Sequence, residues 1–461
     1  MIEILFVLLV ACTGQSPAPS PKMNNNNSTS TTPANKTPAG FVTRAGTQLM
    51  LDGRPFRFAG ANMHWLGLED STDHPTQFRV DDGFAAAKEM GATVVRAHNL
   101  GISTGCRNCI EPELGVFNED AFRYDDYAIK VARDYGIRLV IPLTDNWHYP
   151  AGGKHNFTDW RGISDENQFY YNKKVIGDFK EYIRRFLTHV NTYTGVAYKD
   201  DPTILAWETG NELQPPTEWT QTISTYIKSI DPHHLVIDGK NGIDPNAASL
   251  TNVDIVSAHY YPKNVPQLRK DAEAAKKAGK VFYVGEFDWN DANGGASLTS
   301  FLSTIENDTE IAGDSFWELM PHNDQYGYVV NDKEYSLHYP GDTKAMRAAV
   351  QQLRLHAYKM RGDAVPPDSI PGSPVVTAVS KKESYTLVEW RGTAVAATYS
   401  IERSTTGPQG PWTLVCKQCI TDALAPWRDP DELSGTVWYR VIAYNLSGVA
   451  GKPSEPYRAE L

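Results

Sequence analysis

Eight apolar runs, each bounded by turn residues, alternate along the chain with stretches in which apolar residues recur at helical spacing. Short apolar runs predict buried strands, and the longer periodic stretches predict amphipathic helices. The predicted strands cover residues 57–65, 93–100, 138–146, 204–212, 235–241, 254–262, 281–289 and 314–320. The predicted helices between and after them include residues 81–90, 120–135, 167–193, 217–230, 265–278, 298–311 and 343–360.

This alternation predicts an α/β fold in which helices connect parallel strands. Eight strands, each followed by a helix, favour a (β/α)8 TIM barrel with insertions over residues 41–363. A doubly wound open sheet is the alternative, but no glycine-rich phosphate-binding loop follows any of the strands. We therefore expect a barrel, with its chemistry at the carboxyl ends of the strands.

Beyond the barrel the apolar pattern changes to a period of two. Residues 364–374 are rich in proline and form a predicted linker. The residues that follow contain short alternating runs with turn signals between them, which predicts a small all-β sandwich over residues 375–461. The clearest of these runs lie at 385–390, 399–403 and 437–445.

Three residues of this second domain form a pattern that resembles a fibronectin type III module: Trp390, Tyr439 and Asn445. The default role of such a module is that of a spacer or packing partner. Sugar binding by the module is a second possibility, which the sequence leaves open.

The amino-terminal segment has the composition of an export signal. Residues 2–11 are almost wholly apolar and too few to span a bilayer. Cys12 ends a Leu-Val-Ala-Cys sequence that resembles a bacterial lipobox; an ordinary signal peptide with an incidental cysteine is the alternative. We assign residues 1–12 to a signal peptide or lipoprotein signal, and residues 13–40, rich in Asn, Ser, Thr and Pro, to a disordered linker. The protein is then expected outside the cell, either secreted or lipid-anchored at the cell surface.

The net charge and the aromatic content limit the classes of ligand that the protein is expected to bind. The 461 residues carry a net charge of −11, which argues against nucleic acid or an anionic membrane surface as the ligand. The chain is rich in aromatic residues, with 11 tryptophans and 23 tyrosines, and sugar-binding clefts use such flat aromatic faces. We expect a monomer that needs no cofactor and no metal.

The cysteines beyond Cys12 form two C-x-x-C pairs, one in each predicted domain. A zinc ribbon keeps its pairs within about 15–20 residues of each other, and these two pairs lie far beyond that spacing. In an exported protein, local disulfides joining Cys106 to Cys109 and Cys416 to Cys419 are the better interpretation. A metal site shared between the domains is the more distant alternative.

Two glutamates occupy matching positions at the ends of predicted strands. Glu212 closes the run 204–212, directly after an asparagine, and Glu286 ends another apolar run. A lone glutamate here would be a solvated loop residue, but a pair of carboxylic acids is what glycoside hydrolysis requires. One must be a proton donor and the other a nucleophile or base. We expect Arg and Tyr neighbours to keep Glu286 ionised, and burial with neighbouring negative charge to keep Glu212 protonated.

Further polar and aromatic side chains lie at other predicted strand ends: Arg96, Asn146, Trp147, His148, His259, Tyr261 and Trp317. Taken singly, His259 fits a satisfied core histidine and Trp317 fits simple packing. Since the strand ends of a barrel meet on one face, their convergence there indicates a site.

Residues 41–361 resemble a family 5 glycoside hydrolase, especially its β-mannanase branch. The motifs that carry the resemblance are Gly-Ala-Asn-Met-His-Trp at 60–65, Val-Val-Arg at 94–96, Asp-Asn-Trp at 145–147 with Gly-Gly at 152–153, the run from 198 into Asn-Glu at 211–212, His-Tyr-Tyr at 259–261, Glu-Phe at 286–287 and Phe-Trp at 316–317.

The resemblance implies a retaining enzyme in which Glu212 is the acid/base and Glu286 the nucleophile. It also implies that Asn211 bonds the 2-hydroxyl of the sugar and that Trp317 forms the floor of the subsite where cleavage occurs. The peptide bond between Trp317 and Glu318 is then expected to be cis. Three residues would orient the nucleophile: Arg96, His259 and Tyr261. The remaining predicted substrate-binding residues are Trp65, Asn146 and Trp147.

Two departures from the β-mannanase pattern concern substrate rather than chemistry. Leu213-Gln214 stands where that branch usually has Pro-Arg, and Ala97-His98 stands where an aromatic residue is usual. The sequence thus favours hydrolysis of β-1,4-mannan. It leaves open a β-1,4-glucanase, an exo-acting β-mannosidase, and a barrel that binds carbohydrate without turning it over.

Overall fold

The computed structural model describes residues 40–461. Three short strands come first: β1 (Thr43–Ala45), β2 (Gln48–Leu51) and β3 (Arg54–Pro55). The next eight are β4 (Phe58–Asn62), β5 (Val94–Arg96), β6 (Arg138–Pro142), β7 (Ile204–Glu208), β8 (Leu235–Asp238), β9 (Ile255–Tyr260), β10 (Val281–Phe287) and β11 (Ile311–Phe316). These eight pair in parallel, and β11 pairs with β4 to close the barrel, so the predicted (β/α)8 architecture is confirmed.

The helices are α1 (Gln77–Glu89), α2 (His98–Gly101), α3 (Glu119–Tyr135), α4 (Lys154–Asp159), α5 (Gln168–Tyr171), α6 (Lys173–Thr188), α7 (Thr217–Ile230), α8 (Pro245–Ala248), α9 (Val265–Lys277), α10 (Leu298–Asn307) and α11 (Lys344–Arg361). The prediction of one helix over 167–193 was wrong. Asn172 adopts an extended conformation and its side chain accepts a hydrogen bond from the backbone N–H of Lys174, which ends α5 and caps α6.

Two apolar layers hold the barrel together. The outer layer lies between strands and helices, where residues such as Phe84, Phe179 and Trp219 are buried. The inner layer fills the barrel near the start of its strands, and Val42 and Leu49 of the amino-terminal segment pack against it. The small sheet β1–β3 thus covers the end of the barrel opposite to the predicted site. Burial of the apolar residues of these two layers away from water is the main favourable contribution to the free energy of folding.

The carboxy-terminal domain consists of two antiparallel sheets. Its strands are β12 (Val375–Lys381), β13 (Thr386–Arg391), β14 (Thr398–Ser404), β15 (Thr413–Ile420), β16 (Trp427–Asp429), β17 (Thr436–Tyr444) and β18 (Tyr457–Glu460). One sheet has the order β12-β13-β16 and the other β15-β14-β17-β18. Buried and partly buried residues alternate along β17, which places one face in a core around Trp390, Tyr399 and Tyr439. An all-β domain is therefore confirmed, whereas its resemblance to fibronectin type III stays a prediction.

The predicted signal at 1–12, with Cys12, and the linker up to residue 39 lie outside the described residues. Within the part of the chain that the structure describes, no helix has both the length and the apolar character needed to cross a membrane.

A buried histidine joins the two domains. His322 follows the barrel's last strand; its Nδ1 lies 2.9 Å from Oδ2 of Asp82 on α1, and its Nε2 lies 3.1 Å from Oδ2 of Asp422. Tyr399 donates a further hydrogen bond to Asp422, 2.5 Å long. Burial alone would lower the pKa of His322, but the two carboxylates outweigh it and raise the pKa to about 10. The imidazolium is therefore a charged link between barrel and sandwich.

This link should make stability depend on pH in a defined direction. The pKa of His322 is about 10 in the folded protein and near 6.5 in the unfolded chain, so its contribution is complete below pH 6.5 and is lost as the pH rises through 10. For His322→Gln we expect a loss of unfolding free energy of a few kcal/mol at pH 6, since each pKa unit corresponds to about 1.4 kcal/mol. Urea unfolding at pH 6, 8 and 10 should show the gap to wild type narrowing with pH. His233→Gln, at an exposed histidine, is the control; a gap that stays constant from pH 6 to 10 would contradict this account.

Candidate active site

A cavity of about 380 Å³ opens at the carboxyl ends of the barrel strands. Both predicted catalytic glutamates line it, together with polar and aromatic side chains from several strand ends and loops. The lining residues are His64, Asp70, His98, Asn99, Trp147, Tyr149, Asn211, Glu212, Tyr261, Glu286, Trp317, Asn331, Asp332 and Tyr335.

Glu286 lies near the end of β10 with its carboxylate held on both oxygens. Arg96 donates from Nη1 to Oε1 at 2.7 Å, and the Tyr261 hydroxyl donates to Oε2 at 3.0 Å. The pairing of β10 with β9 shifts register just before Glu286. At this shift Gly285 lets β10 lie close to His259 of β9, since a Cβ at position 285 would be only 2.7 Å from Nε2 of His259. The predicted contacts of Arg96 and Tyr261 with Glu286 are therefore present.

Arg96 is fully buried at the end of β5 and bonds four neighbours around the barrel. Besides Glu286, its guanidinium donates to Oε2 of Glu208 at 2.8 Å, to Oδ1 of Asn211 at 2.9 Å and to Oδ1 of Asn62 at 3.2 Å. Burial would lower the pKa of Arg96, but the Glu208 and Glu286 carboxylates outweigh it and raise that pKa. Arg96 therefore stays a fixed positive charge beneath the cavity.

Glu212 lies beyond the end of β7, since that strand stops at Glu208 rather than continuing to residue 212 as predicted. Its φ of 51° is in the left-handed region, which residues other than glycine rarely adopt. Residues in this strained conformation are found most often at functional sites. The Trp147 indole donates to Oε2 at 2.7 Å, and Nδ1 of His259 bonds Oε1 at 2.7 Å. These two bonds fix the carboxylate at the cavity wall.

The expectation that Glu212 is held protonated was wrong. Burial raises the pKa of Glu212, but the hydrogen bonds from His259 and Trp147, with the charge of Arg96, outweigh it and lower the pKa to about 2. Burial would lower the pKa of His259, yet Glu286 and Glu212 raise it. The two opposite pKa shifts thus favour the proton on the imidazole, whose Nδ1 faces the Glu212 carboxylate.

His259 also departs from its predicted contact. Its short bond is to Glu212, and its Nδ1 lies 3.6 Å from Oε2 of Glu286. One ligand atom from each of Glu212, His259 and Glu286 lies within 4.8 Å of the others, a spacing that would suit a metal ion. The Arg96 guanidinium already neutralises Glu286 through Oε1, and this neighbouring positive charge disfavours a metal ion at the three ligand atoms.

Asn211 lies in the cavity wall with both ends of its amide engaged. Its Oδ1 accepts from Arg96, and its Nδ2 donates to Oδ1 of Asp145 at 3.3 Å. Asp145 in turn pairs with Nε2 of His98 at 3.0 Å. The amide is therefore held in one orientation at the cavity wall.

Trp317 borders the cavity over a buried ion pair. Its ring stacks on that of His64 at 5.4 Å, and the peptide bond to Glu318 is cis, as the resemblance implied. His64 forms an ion pair with the fully buried Glu318 and lies 3.5 Å from Asp70. Burial would lower the pKa of His64, but Glu318 and Asp70 raise it to about 10.

Two predicted binding residues lie elsewhere. Trp65 is buried in the core and its indole donates to the carbonyl of Leu319 at 2.9 Å, so it does not line the cavity. Asn146 accepts from Nζ of Lys154 at 2.6 Å and is also absent from the lining. Sequence reasoning missed the side chains from the loop after β11: Asn331, Asp332 and Tyr335. Turn residues without periodicity gave no signal for them; His64 and His98 could have been found from their positions beside predicted strand ends.

Both predicted cysteine pairs are disulfides. Cys106–Cys109 and Cys416–Cys419 have Cα separations of 5.0 and 5.7 Å. The first lies near the cavity, where it packs with Leu68 and Ala151 in a small apolar cluster. It therefore packs against the loops on which Asp70 and Tyr149 are placed, since Leu68 and Ala151 lie two residues from them.

A family model described as GH family 5 beta-mannosidase-like matches residues 39–284. Mannan endo-1,4-beta-mannosidase 3 of Arabidopsis thaliana is 32% identical over 245 residues, which are 48% of this chain and 58% of that protein. Mannan endo-1,4-beta-mannosidase 1 of Oryza sativa subsp. japonica is 28% identical over 355 residues, 63% of this chain and 82% of that protein. This chain thus matches less than two thirds of the length of relatives such as the Arabidopsis protein.

Solved structures agree with the fold. The endo-1,4-beta-mannanase of Rhizomucor miehei superposes with a TM-score of 0.61 at 27% identity, covering 70% of this chain and 100% of that one. The hyperthermostable endo-1,4-beta-D-mannanase of Thermotoga petrophila RKU-1 gives 0.58 at 25% identity, covering 65% and 100%.

The pairing of His259 with Glu212 generates a testable shift. In His259→Asn the strongest hydrogen bond to the Glu212 carboxylate is lost, so the pKa of Glu212 should rise from about 2 towards or above its ordinary value of 4.5. Carboxyl ¹³C NMR titration, with the Glu212 signal assigned by its absence in Glu212→Gln, measures this. His148→Asn is the matched control, because His148 bonds Glu166 instead. An unchanged titration of Glu212 in His259→Asn would refute the pairing.

Proposed function

This chain belongs to the β-mannosidase-like glycoside hydrolases of family 5, and we propose that it hydrolyses β-1,4-linked mannan with retention of anomeric configuration. The observation that carries the proposal is the short distance between the two acids: a carboxylate oxygen of Glu212 lies within 4.8 Å of one of Glu286. Retaining glycosidases hold their carboxyl groups about 5–5.5 Å apart, whereas inverting enzymes need roughly 6.5–9.5 Å to admit a water.

In this proposal Glu286 is the nucleophile. Arg96 and Tyr261 bond its two oxygens and keep one of them aimed into the cavity. Attack on the anomeric carbon forms a glycosyl–Glu286 ester and breaks the bond to the departing sugar oxygen. Since both donors are already fixed on the Glu286 carboxylate, little reorganisation is needed when charge leaves it.

Glu212 protonates the departing oxygen and then, as a carboxylate, accepts a proton from the water that cleaves the ester. The lowered pKa of Glu212 and the raised pKa of His259 favour that proton on His259, 2.7 Å from Glu212. Substrate must therefore move the proton from His259 to Glu212. A neutral sugar that buries the pair would favour this, because transfer of the proton replaces two buried charges by two neutral groups.

Trp147, Trp317 and Tyr335 would supply the walls of the sugar site, and Asn211 the partner of the 2-hydroxyl. Endo action is proposed because the relatives named above carry that activity in their names. We also propose that the protein acts outside the cell, secreted or lipid-anchored, on polysaccharide that it meets there.

Substrate class can be tested directly. Incubation with mannan, glucomannan and carboxymethyl cellulose, followed by sizing of the products, should give short oligosaccharides from the first two and none from the third. Release of single mannose units from chain ends would replace endo with exo action. Cleavage of carboxymethyl cellulose at a comparable rate would point instead to a β-1,4-glucanase, and no cleavage of any of the three to a binding-only barrel.

The division of labour between the acids makes their variants distinguishable. Glu286→Ala should lose nearly all activity on every substrate, and azide should restore part of it, giving a glycosyl azide of inverted configuration. Glu212→Ala should be slowed by about 10²–10⁴-fold on mannan but far less on activated aryl glycosides, whose leaving groups depart without a proton. Glu218→Ala, at an exposed glutamate on α7, is the control. NMR of the first-formed anomer decides the mechanism, since inversion by the wild type excludes the covalent route.

A further inference from the structure

A second cavity lies on the outer wall of the barrel, between α1 and α3. Its volume is about 410 Å³, within the range of small-molecule sites. It shares no lining residue with the catalytic cavity, and three of its side chains are tyrosines; we call it the tyrosine groove. It is lined by Pro75, Gln77, Val80, Asp120, Arg123, Tyr124, Tyr127 and Tyr193.

The first tyrosine face is exposed and held rigidly. Tyr124 is 42% exposed, so one face of its ring is available to a ligand in the groove. His74 stacks on its other face, with centroids 3.7 Å apart and an interplanar angle of 6°. The imidazole is itself anchored by a hydrogen bond between Nδ1 and the carbonyl of Gly67, 2.8 Å long. A ligand would therefore meet a flat ring that loses little freedom on binding.

The second face is fixed in a similar way. Tyr193 is 50% exposed and packs edge-on against Tyr127 at 5.5 Å. The Tyr127 hydroxyl donates to Oδ2 of Asp81 at 2.7 Å, which holds the supporting ring in place. The backbone N–H of Tyr193 donates to Oδ1 of Asn191 at 2.9 Å, which fixes the turn that carries the second face.

The rim of the groove is polar and of mixed charge. Gln77, Asp120 and Arg123 are exposed there, and the last two form a loose pair 3.6 Å apart. A strongly anionic or cationic ligand would meet a like charge, and an apolar protein surface would leave these groups without water. A neutral sugar chain suits both features, because its C–H faces stack on rings while its hydroxyls bond amides and charged groups.

We propose that the tyrosine groove binds a segment of the same neutral β-linked polysaccharide that the catalytic cavity cleaves. This inference rests on the proposed function for the identity of the polysaccharide. One loop connects the two sites: residues 63–76 place His64 and Asp70 in the cavity wall and Pro75 in the groove. The groove would hold a long or insoluble chain near the cleft, so that the next cleavage begins from a bound state and benefits from a raised local concentration.

The test separates polysaccharide binding from turnover. The double variant Tyr124→Ala/Tyr193→Ala removes both exposed faces and leaves every cavity residue unchanged. In a Glu286→Gln background, retardation in gels containing soluble mannan should show binding about tenfold weaker, which corresponds to roughly 1.4 kcal/mol. In the active enzyme, the double variant should cleave short mannooligosaccharides at the wild-type rate but act several-fold more slowly on insoluble mannan. Tyr171→Ala is the matched control, since that ring is 62% exposed on a different surface.

The outcomes are distinguishable from failure of the proposed function. If the wild type cleaves no mannan, the proposed function is disproved. The gel experiment then still decides whether the tyrosine groove binds the polysaccharide. Equal retardation of the double variant and its parent overturns the groove, as does an equal loss in Tyr171→Ala. Loss of activity on short oligosaccharides, with circular dichroism unchanged, would also overturn it, because the rings would then act on the catalytic cavity.

Discussion

One buried cation organises the catalytic end of this barrel. Arg96 takes no part in the solvent surface, yet it bonds side chains from β4, β7 and β10 and the amide that precedes Glu212. A guanidinium with several fixed donors is suited to this task, because it can hold two carboxylates and two amides in one plane. Breaking such a buried pair typically costs about 3–5 kcal/mol, since the partner charge is left uncompensated. Glu208 is buried and does not line the cavity, yet it is as much a part of the site as Glu286 because it holds the same guanidinium.

The same charge balance determines which acid carries the proton. With Arg96 and Tyr261 on Glu286, and His259 and Trp147 on Glu212, both glutamates have their oxygens occupied by donors. Sequence reasoning assumed that proximity of two carboxylates would keep one of them protonated. It missed that a histidine with a raised pKa, bonded to Glu212, relieves the repulsion by carrying the proton itself.

Periodicity and position made much of the rest predictable. All eight barrel strands were found because buried parallel strands are apolar runs, and their ends located Arg96, Tyr261 and Trp317 beside the glutamates. The prediction that Trp65 binds substrate was wrong because it lies three residues beyond the end of β4, which is enough for the chain to turn into the core. The break of the predicted helix at Asn172 depends on one side-chain cap, and the wall of Asn331, Asp332 and Tyr335 depends on an irregular loop. Neither feature repeats along the chain, so no periodic pattern could reveal it.

The disulfide between Cys106 and Cys109 has a consequence for when the enzyme becomes complete. It is packed with Leu68 and Ala151, at the point where the loops that frame the cleft meet. Disulfides form in oxidising compartments and are kept reduced in the cytosol. A newly made chain can therefore close its barrel, whose core contains no cysteine bridge, before the rim of its cleft is locked. On the export proposed above, the bond between Cys106 and Cys109 forms only after the chain has passed into an oxidising space, so the rim of the cleft is completed later than the core of the barrel.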